Sequence, residues 1–219
     1  MIQNKYDTVF FDLDGTLVDS GEGVKTSFLY ALEHFGIHAR KEDIDAVMGP
    51  PLVYSFMNFF GFDEPTAFKA QDKYREFYHD RGIYMNTVYD GIPHVLSELK
   101  KRGAMLCVAT SKPTVFAEIV LKHHGLRDYF DHVCGSELDG TRGSKKEVIE
   151  YALDISGSRG KRVAMVGDRK YDVLGGNECG LDTIGADFGY AEENELTDAG
   201  AKYVVTNAYD LLSVLTKDC

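Results

Sequence analysis

Asp12 and Asp14 stand two residues apart where the apolar run of residues 8–11 ends, and Gly15 follows them. On a continuing strand their side chains would share a face; at a strand end, Gly15 lets the chain bend instead. Two carboxylates at an apolar rim repel each other and lose hydration, which is costly unless a cation or a proton stands between them. A hard divalent cation with oxygen ligands, Mg²⁺, is the natural partner. A further carboxylate, Asp168, follows a separate apolar run at residues 163–166, with Asp172 close behind. Thr110, Ser111 and Lys112 end the run of residues 105–109, and the pair Lys145-Lys146 opens a helical pattern before the Asp168 run. These are the groups that phosphoryl transfer uses. A carboxylate nucleophile attacks phosphorus and forms an aspartyl-phosphate. A metal ion, a hydroxyl and a lysine neutralise the equatorial oxygens. A second carboxylate such as Asp14 protonates the leaving oxygen and then activates water. A surface turn rich in Asp and Gly would share the D-x-D-G spelling, but not the preceding Phe10-Phe11 or the partner carboxylate at another strand end.

These groups are scattered along the chain, so the elements carrying them must bring them together. Short apolar runs at residues 8–11, 105–109, 132–134, 163–166, 183–185 and 203–205 read as strands. Helical patterns separate most of them. Residues 93–102 put Val95, Leu96 and Leu99 on one face, with Gly103 as a stop signal. Residues 113–124 carry Phe116, Ile119, Val120 and Leu121 before Gly125, and residues 145–155 carry Val148, Ile149, Ala152 and Ile155. Strands alternating with helices predict an α/β fold: a Rossmann-like, mostly parallel sheet with helices on both faces. In such sheets function gathers beyond the carboxyl ends of the strands, which is where Asp12, Thr110 and Asp168 fall.

Between the first strand and Asp90 no strand is expected, only helices. Val24, Phe28, Leu32 and Phe35 fit one helix ended by Gly36. Ile44, Val47 and Met48 fit a second, ended by Gly49-Pro50-Pro51. Val53, Phe56 and Phe60 fit a third, ended by Gly61. Asp63 caps a fourth that has Pro65 in its first turn and Phe68, Phe77 and Tyr78 along it. The expected division is a catalytic core of residues 1–16 and 88–219 with an inserted α-helical cap domain of residues 17–87. Movement of the cap is expected about linkers near residues 16–20 and 83–89. The aromatic side chains of the cap invite a pocket reading, but core packing between amphipathic helices is the expectation for any one of them.

The chain has 219 residues, 44% of them hydrophobic, enough for one large domain carrying a smaller one. Its formal net charge of -11 argues against nucleic acid polymers and anionic membranes as partners. No apolar run is long enough to span a bilayer, and Met1-Ile2-Gln3-Asn4-Lys5 does not read as a signal peptide. Cys107, Cys134, Cys179 and Cys219 form no C-x-x-C pair, which points to reduced thiols in a cytoplasmic protein. The histidines have no ligand spacing, and none is assigned a catalytic role.

The run Phe10-Phe11-Asp12-Leu13-Asp14-Gly15-Thr16-Leu17-Val18-Asp19-Ser20 and the run Val166-Gly167-Asp168-Arg169-Lys170-Tyr171-Asp172 resemble the first and last motifs of the haloacid dehalogenase superfamily. The resemblance covers essentially the whole chain. It lies with the branch that inserts a helical cap after the first strand, and within it with phosphoglycolate phosphatases and 5′-nucleotidase-like hydrolases. It implies Asp12 as nucleophile and Asp14 as general acid and base. It implies a Mg²⁺ site made of Asp12, the backbone carbonyl of Asp14 and Asp168, with Asp172 supporting the metal or the lysine. Thr110, with Ser111 beside it, would hold the phosphoryl oxygens together with a lysine. Many relatives have Lys-Pro at the lysine position, whereas this chain has Ser144-Lys145-Lys146-Glu147. Counting back from Val148 and Ile149 favours Lys145, with Lys146 as the fallback.

The expected activity is hydrolysis of small phosphomonoesters by a monomer or weak dimer. The resemblance places a phosphoglycolate-like acid ahead as the expected substrate, with a nucleoside 5′-monophosphate as the alternative; the acid would take a cationic or amide-rich contact from Lys25 or the helix start after Pro51. A nucleoside monophosphate would instead use an aromatic face such as Tyr54 or Phe56. The loop Gly49-Pro50-Pro51-Leu52 either faces the active site or simply turns between helices. Arg142 either reaches an anion or is solvated. A sugar phosphomutase of the β-phosphoglucomutase type is discounted, because Gly21-Glu22-Gly23-Val24-Lys25 carries no histidine. A phosphorylated receiver module would lack the helical insertion. A purely binding protein would find the acidic set a liability.

Overall fold

A computed structural model describes residues 3–41 and 44–217; Met1, Ile2 and Cys219, on which part of the reading above rests, lie outside them. The chain falls into two compact units. One comprises the residues up to Asp19 together with those from Val88 onward, and the other Ser20–Thr87.

The first unit contains the strands β1 (Gln3–Asn4), β2 (Thr8–Phe11) and β3 (Val18–Asp19). After the second unit, β4 (Thr87–Val88) leads to α4 (Ile92–Lys101), β5 (Met105–Pro113), α5 (Thr114–His123) and β6 (His132–Ser136). Then come α6 (Lys145–Ile155), β7 (Val163–Gly167), α7 (Lys170–Glu178) and β8 (Asp182–Ala186). Last are α8 (Glu195–Asp198), β9 (Tyr203–Val205), α9 (Ala208–Leu215) and β10 (Thr216–Lys217). The main sheet has the order β6-β5-β2-β7-β8-β9 and is parallel throughout. All four residues of β2 are buried. A strand covered on both faces reads as a continuous apolar run rather than an alternating one. Phe10, paired in register with Cys107 of β5 and Met165 of β7, packs with Val148, Ile149 and Ala152 of α6. From β2 the chain goes to β5 and β6 on one side, then crosses to β7, β8 and β9 on the other. The strand order reverses around β2, and a crevice beyond the strand ends forms at such a reversal.

The structure corrects the sequence reading at three points. No strand was expected between β2 and Asp90, yet β3 and β4 pair as a two-stranded ladder, and Tyr89 N–H donates to Leu17 O at 3.1 Å. Strands of two residues are too short to show a period. The strand at residues 105–109 continues to Pro113, with its register to β6 shifting between Ala109 and Pro113. The third correction is in the helical unit. The expected helix around Ile44–Met48 is a single 3₁₀ turn, Asp45–Val47, before Gly49 at φ 104° and the two prolines.

The second unit otherwise follows its pattern, with α1 (Gly21–His34), α2 (Leu52–Phe60) and α3 (Glu64–Asp80). Asp63 caps α3 by accepting Thr66 N–H at 2.9 Å, and Gly61 ends α2 at φ 70°. Phe28, Phe56 and Tyr74 form its core, with ring centroids 4.8 and 5.0 Å from Phe28.

Candidate active site

The site begins where β2 stops. Asp12 N–H still donates to Val166 O at 2.8 Å, so Asp12 leaves the sheet with fixed direction. The chain then folds back: Leu17 N–H donates to Leu13 O at 2.9 Å and Gly15 N–H to Val18 O at 2.8 Å. Gly15 sits at φ 82°, and a Cβ there would lie 2.0 Å from Asp168 Oδ2. Gly189 closes on Asp168 from the other side, where a Cβ would lie 2.4 Å from Asp168 Cβ. Two residues without side chains thus let the backbone close around one carboxylate.

Asp12, Asp168 and Asp172 are buried and present carboxylate oxygens within 4.8 Å of one another. Asp168 Oδ1 accepts the Thr16 hydroxyl at 3.1 Å, and its Oδ2 accepts Tyr190 N–H at 2.9 Å. Asp172 Oδ2 accepts Arg169 N–H at 3.0 Å. The Lys145 ammonium lies 3.0 Å from Asp12 Oδ1 and 2.7 Å from Asp172 Oδ1, and donates to Ala109 O at 3.1 Å. Burial alone would lower the Lys145 pKa, but Asp12 and Asp172 reverse this and hold it above the usual lysine value. Burial, reinforced by Asp172 and Asp12, pushes Asp168 well above the carboxylate range. Burial also raises Asp172, to about 6, against the pull of Lys145.

Three buried carboxylates facing one ammonium leave an excess of negative charge. Asp12 Oδ1 and Asp172 Oδ1 receive no hydrogen bond of good geometry and meet Lys145 as ion pairs alone. An all-oxygen donor set with surplus charge fits a hard divalent cation. Asp172, expected only in support, is the third member of this group.

The other expected residues are also placed. Thr110 is buried, and its Oγ1 accepts Lys112 N–H at 3.2 Å. Ser111 is exposed, and its backbone carbonyl accepts the Ser136 hydroxyl at 2.8 Å. Asp14 is half-buried, and its carboxylate oxygens lie 2.8 and 2.5 Å from the Lys112 ammonium. Lys146 faces outward and pairs with Glu178 at 3.1 Å. Arg142 binds Gly135 O and Glu137 and stacks over Tyr151, and Lys25 pairs with Asp45. Phe56 belongs to the helical core, whereas Tyr54 is 52% exposed.

Lys112, Thr16 and Tyr190 were not assigned from the sequence. The signal for Lys112 was present: it stands two residues beyond Thr110, the spacing that returns a strand to the same face. Tyr190 gave none, because it reaches Asp168 through its backbone.

A parallel α/β sheet that gathers buried carboxylates, a hydroxyl and a buried lysine beyond its strand ends has the fold and polar groups of a hydrolase of the α/β class. The profile of the haloacid dehalogenase-like hydrolases matches residues 9–186, and the chain belongs to that family. It resembles a 5′-nucleotidase from Pseudomonas aeruginosa, 44% identical over 88% of this chain and 87% of the relative. It is 39% identical to tyrosine-protein kinase PtkA of Mycobacterium tuberculosis over 91% of this chain and 68% of that one. The crystal structure of a predicted phosphatase from Clostridium acetobutylicum superimposes with a TM-score of 0.90 at 44% identity, covering 95% of this chain and 97% of that one. The chain is a phosphatase of this family. No helix among the described residues is long and apolar enough to cross a membrane.

Proposed function

We propose that this chain hydrolyses small phosphomonoesters through an aspartyl-phosphate on Asp12, with Mg²⁺ held by Asp12, Asp168 and the backbone carbonyl of Asp14 and supported by Asp172. The observation that carries the reading is the Asp12 carboxylate, aimed off a strand end with the Lys145 ammonium 3.0 Å away and Asp168 beside it. When bound, the cation supplies charge neutralisation to the phosphoryl oxygens. Lys145 adds a second positive charge, and the Thr110 hydroxyl, which already accepts from Lys112 N–H, keeps its own proton to donate. An Asp12 oxygen bonds to phosphorus as the ester P–O bond breaks, and Asp14 delivers a proton to the leaving oxygen. Water then attacks the same phosphorus, gives its proton to Asp14, and releases inorganic phosphate and free Asp12.

The cation has a signature independent of turnover. Asp168 and Asp172 titrate higher in the folded protein than the unfolded 3.8. Their protonated forms therefore favour folding; the Asp172 contribution is lost as pH rises from 3.8 through about 6, and that of Asp168 is lost as pH rises through its own raised value. Mg²⁺ competes with those protons. The stabilisation by Mg²⁺, read as a gain in melting temperature, is expected to grow from pH 5 to pH 8, reaching about 2.7 kcal/mol of folding free energy at a hundredfold excess over Kd. A melting temperature indifferent to Mg²⁺ at pH 8 would overturn the metal reading.

For the substrate class, nucleoside 5′-monophosphates stand ahead of phosphoglycolate. The 5′-nucleotidase relative supports this. So does Lys25, the expected partner of a substrate carboxylate, which is engaged by Asp45. Comparing kcat/KM for nucleoside 5′-monophosphates, phosphoglycolate, pyrophosphate and a phosphotyrosyl peptide tests the assignment, with a nucleotide lead of about tenfold expected. Phosphoglycolate in front would reverse the preference, and the peptide in front would overturn the small-molecule reading. The proposed setting is the cytoplasm, as a monomer or weak dimer; the free thiols of Cys107, Cys134 and Cys179 support a reducing compartment.

A further inference from the structure

Lys112 is anchored at both ends to groups with assigned roles. Its backbone N–H donates to Thr110 Oγ1 at 3.2 Å, and its ammonium meets both oxygens of Asp14, at 2.8 and 2.5 Å. Its side chain is only 7% exposed, whereas that of Asp14 is 26% exposed. The pair spans 98 residues of sequence and joins the turn after β2 to the end of β5. There the strand register shifts between Ala109 and Pro113, so Lys112 lies off the regular ladder. A short carboxylate on a turn has several accessible rotamers, and a buried ammonium contacting both oxygens selects one of them.

We propose that Lys112 is the positioning residue for Asp14, fixing its carboxyl where the leaving oxygen of the substrate arrives and tying that position to the Thr110 hydroxyl that holds the phosphoryl group. The proposal rests on the phosphatase reading above. Its consequence depends on the leaving group. An aryl ester such as 4-nitrophenyl phosphate departs as a stable anion and gains little from a proton. An alkyl ester such as adenosine 5′-monophosphate departs as an alkoxide and needs one. Misplacing Asp14 therefore slows alkyl esters more than aryl ones, whereas losing a phosphate contact or loosening the fold slows both alike.

The test measures kcat and KM for both esters, with Mg²⁺ present, in the wild type, Lys112→Met and Lys112→Arg. Lys112→Met is expected to lower kcat on adenosine 5′-monophosphate about 100-fold, with a fall on 4-nitrophenyl phosphate at least about tenfold smaller. Lys112→Arg, which keeps a cation beside Asp14, is expected to recover most of the alkyl rate. Where Lys112→Met does not fold, Lys112→Gln supplies the same ratio. Equal losses on the two esters would overturn the positioning role, and so would a rise in KM on both. Release of phosphate from neither ester by the wild type would instead overturn the phosphatase reading on which the proposal stands, an outcome visible before any variant is compared.

Discussion

Asp12→Asn is expected to leave less than about 10⁻⁴ of wild-type turnover, in line with removal of a hydrolase nucleophile. The amide matches the carboxylate in size, so the end of β2 keeps its packing. What disappears is the anionic oxygen that bonds to phosphorus in the proposed mechanism. The substitution also removes one of three clustered buried carboxyl groups, so the melting temperature of the metal-free protein is not expected to fall by more than a few degrees, the scale of about 1 kcal/mol. Asp14→Asn is expected to retain more, since general acid and base help is worth about 10²–10⁴-fold. Steady-state hydrolysis of an aryl phosphate, acid-quench trapping of phosphorylated protein and thermal melts check these expectations together. Near-normal turnover in Asp12→Asn would dismiss the covalent route.

Lys145→Met is expected to damage both stability and rate. In the folded protein Lys145 is 5% exposed and lies against Asp12, Asp172 and the Ala109 carbonyl. Removing one partner of a buried ion pair leaves the other charges uncompensated, at a cost of about 3–5 kcal/mol. For a chain of this size that corresponds to a drop in melting temperature on the order of 10 °C. Loss of one preformed cationic contact to the transferring phosphoryl group lowers kcat by about 10²–10³-fold. Mg²⁺ is expected to return part of the stability and little of the rate, because it relieves the carboxylates without replacing the second positive charge. Lys146→Met, on the exposed face of α6, is the control: neither its melting temperature nor its kcat is expected to move measurably. Matching losses at positions 145 and 146 would refute the assignment of Lys145.

Much of the site was legible because its groups belong to strand ends. Asp12, Thr110 and Asp168 each follow an apolar run, and in a parallel sheet all such ends lie on one rim. The helical insertion was legible from its apolar period and stop signals; Asp63, Pro65 and Gly61 mark real helix ends. The one helix that failed, around Val47, is too short for a period to be distinguished from chance. The cluster formed by Asp12, Asp168 and Asp172 was partly legible, since the carboxylates were visible but their mutual distances were not.

From the amino-acid order alone one could read which carboxylates and which hydroxyl fall at strand ends, and that a lysine pair opens the helix before the last of those strands. Tertiary structure alone decided the pairings. Lys145 and Lys146 are chemically identical neighbours, but adjacent helical residues point about 100° apart, and the seating of α6 against the sheet turns one inward to Asp12 and the other outward to Glu178. Lys112 meets Asp14 only because β5 lies beside β2, and Tyr190 N–H reaches Asp168 only because the chain after β8 returns across the end of β7. Local periodicity encodes the direction of a side chain relative to its own strand or helix. Which strand becomes its neighbour depends on the packing of the whole sheet, and the short-range ion pairs and hydrogen bonds of this site form only after that packing is complete.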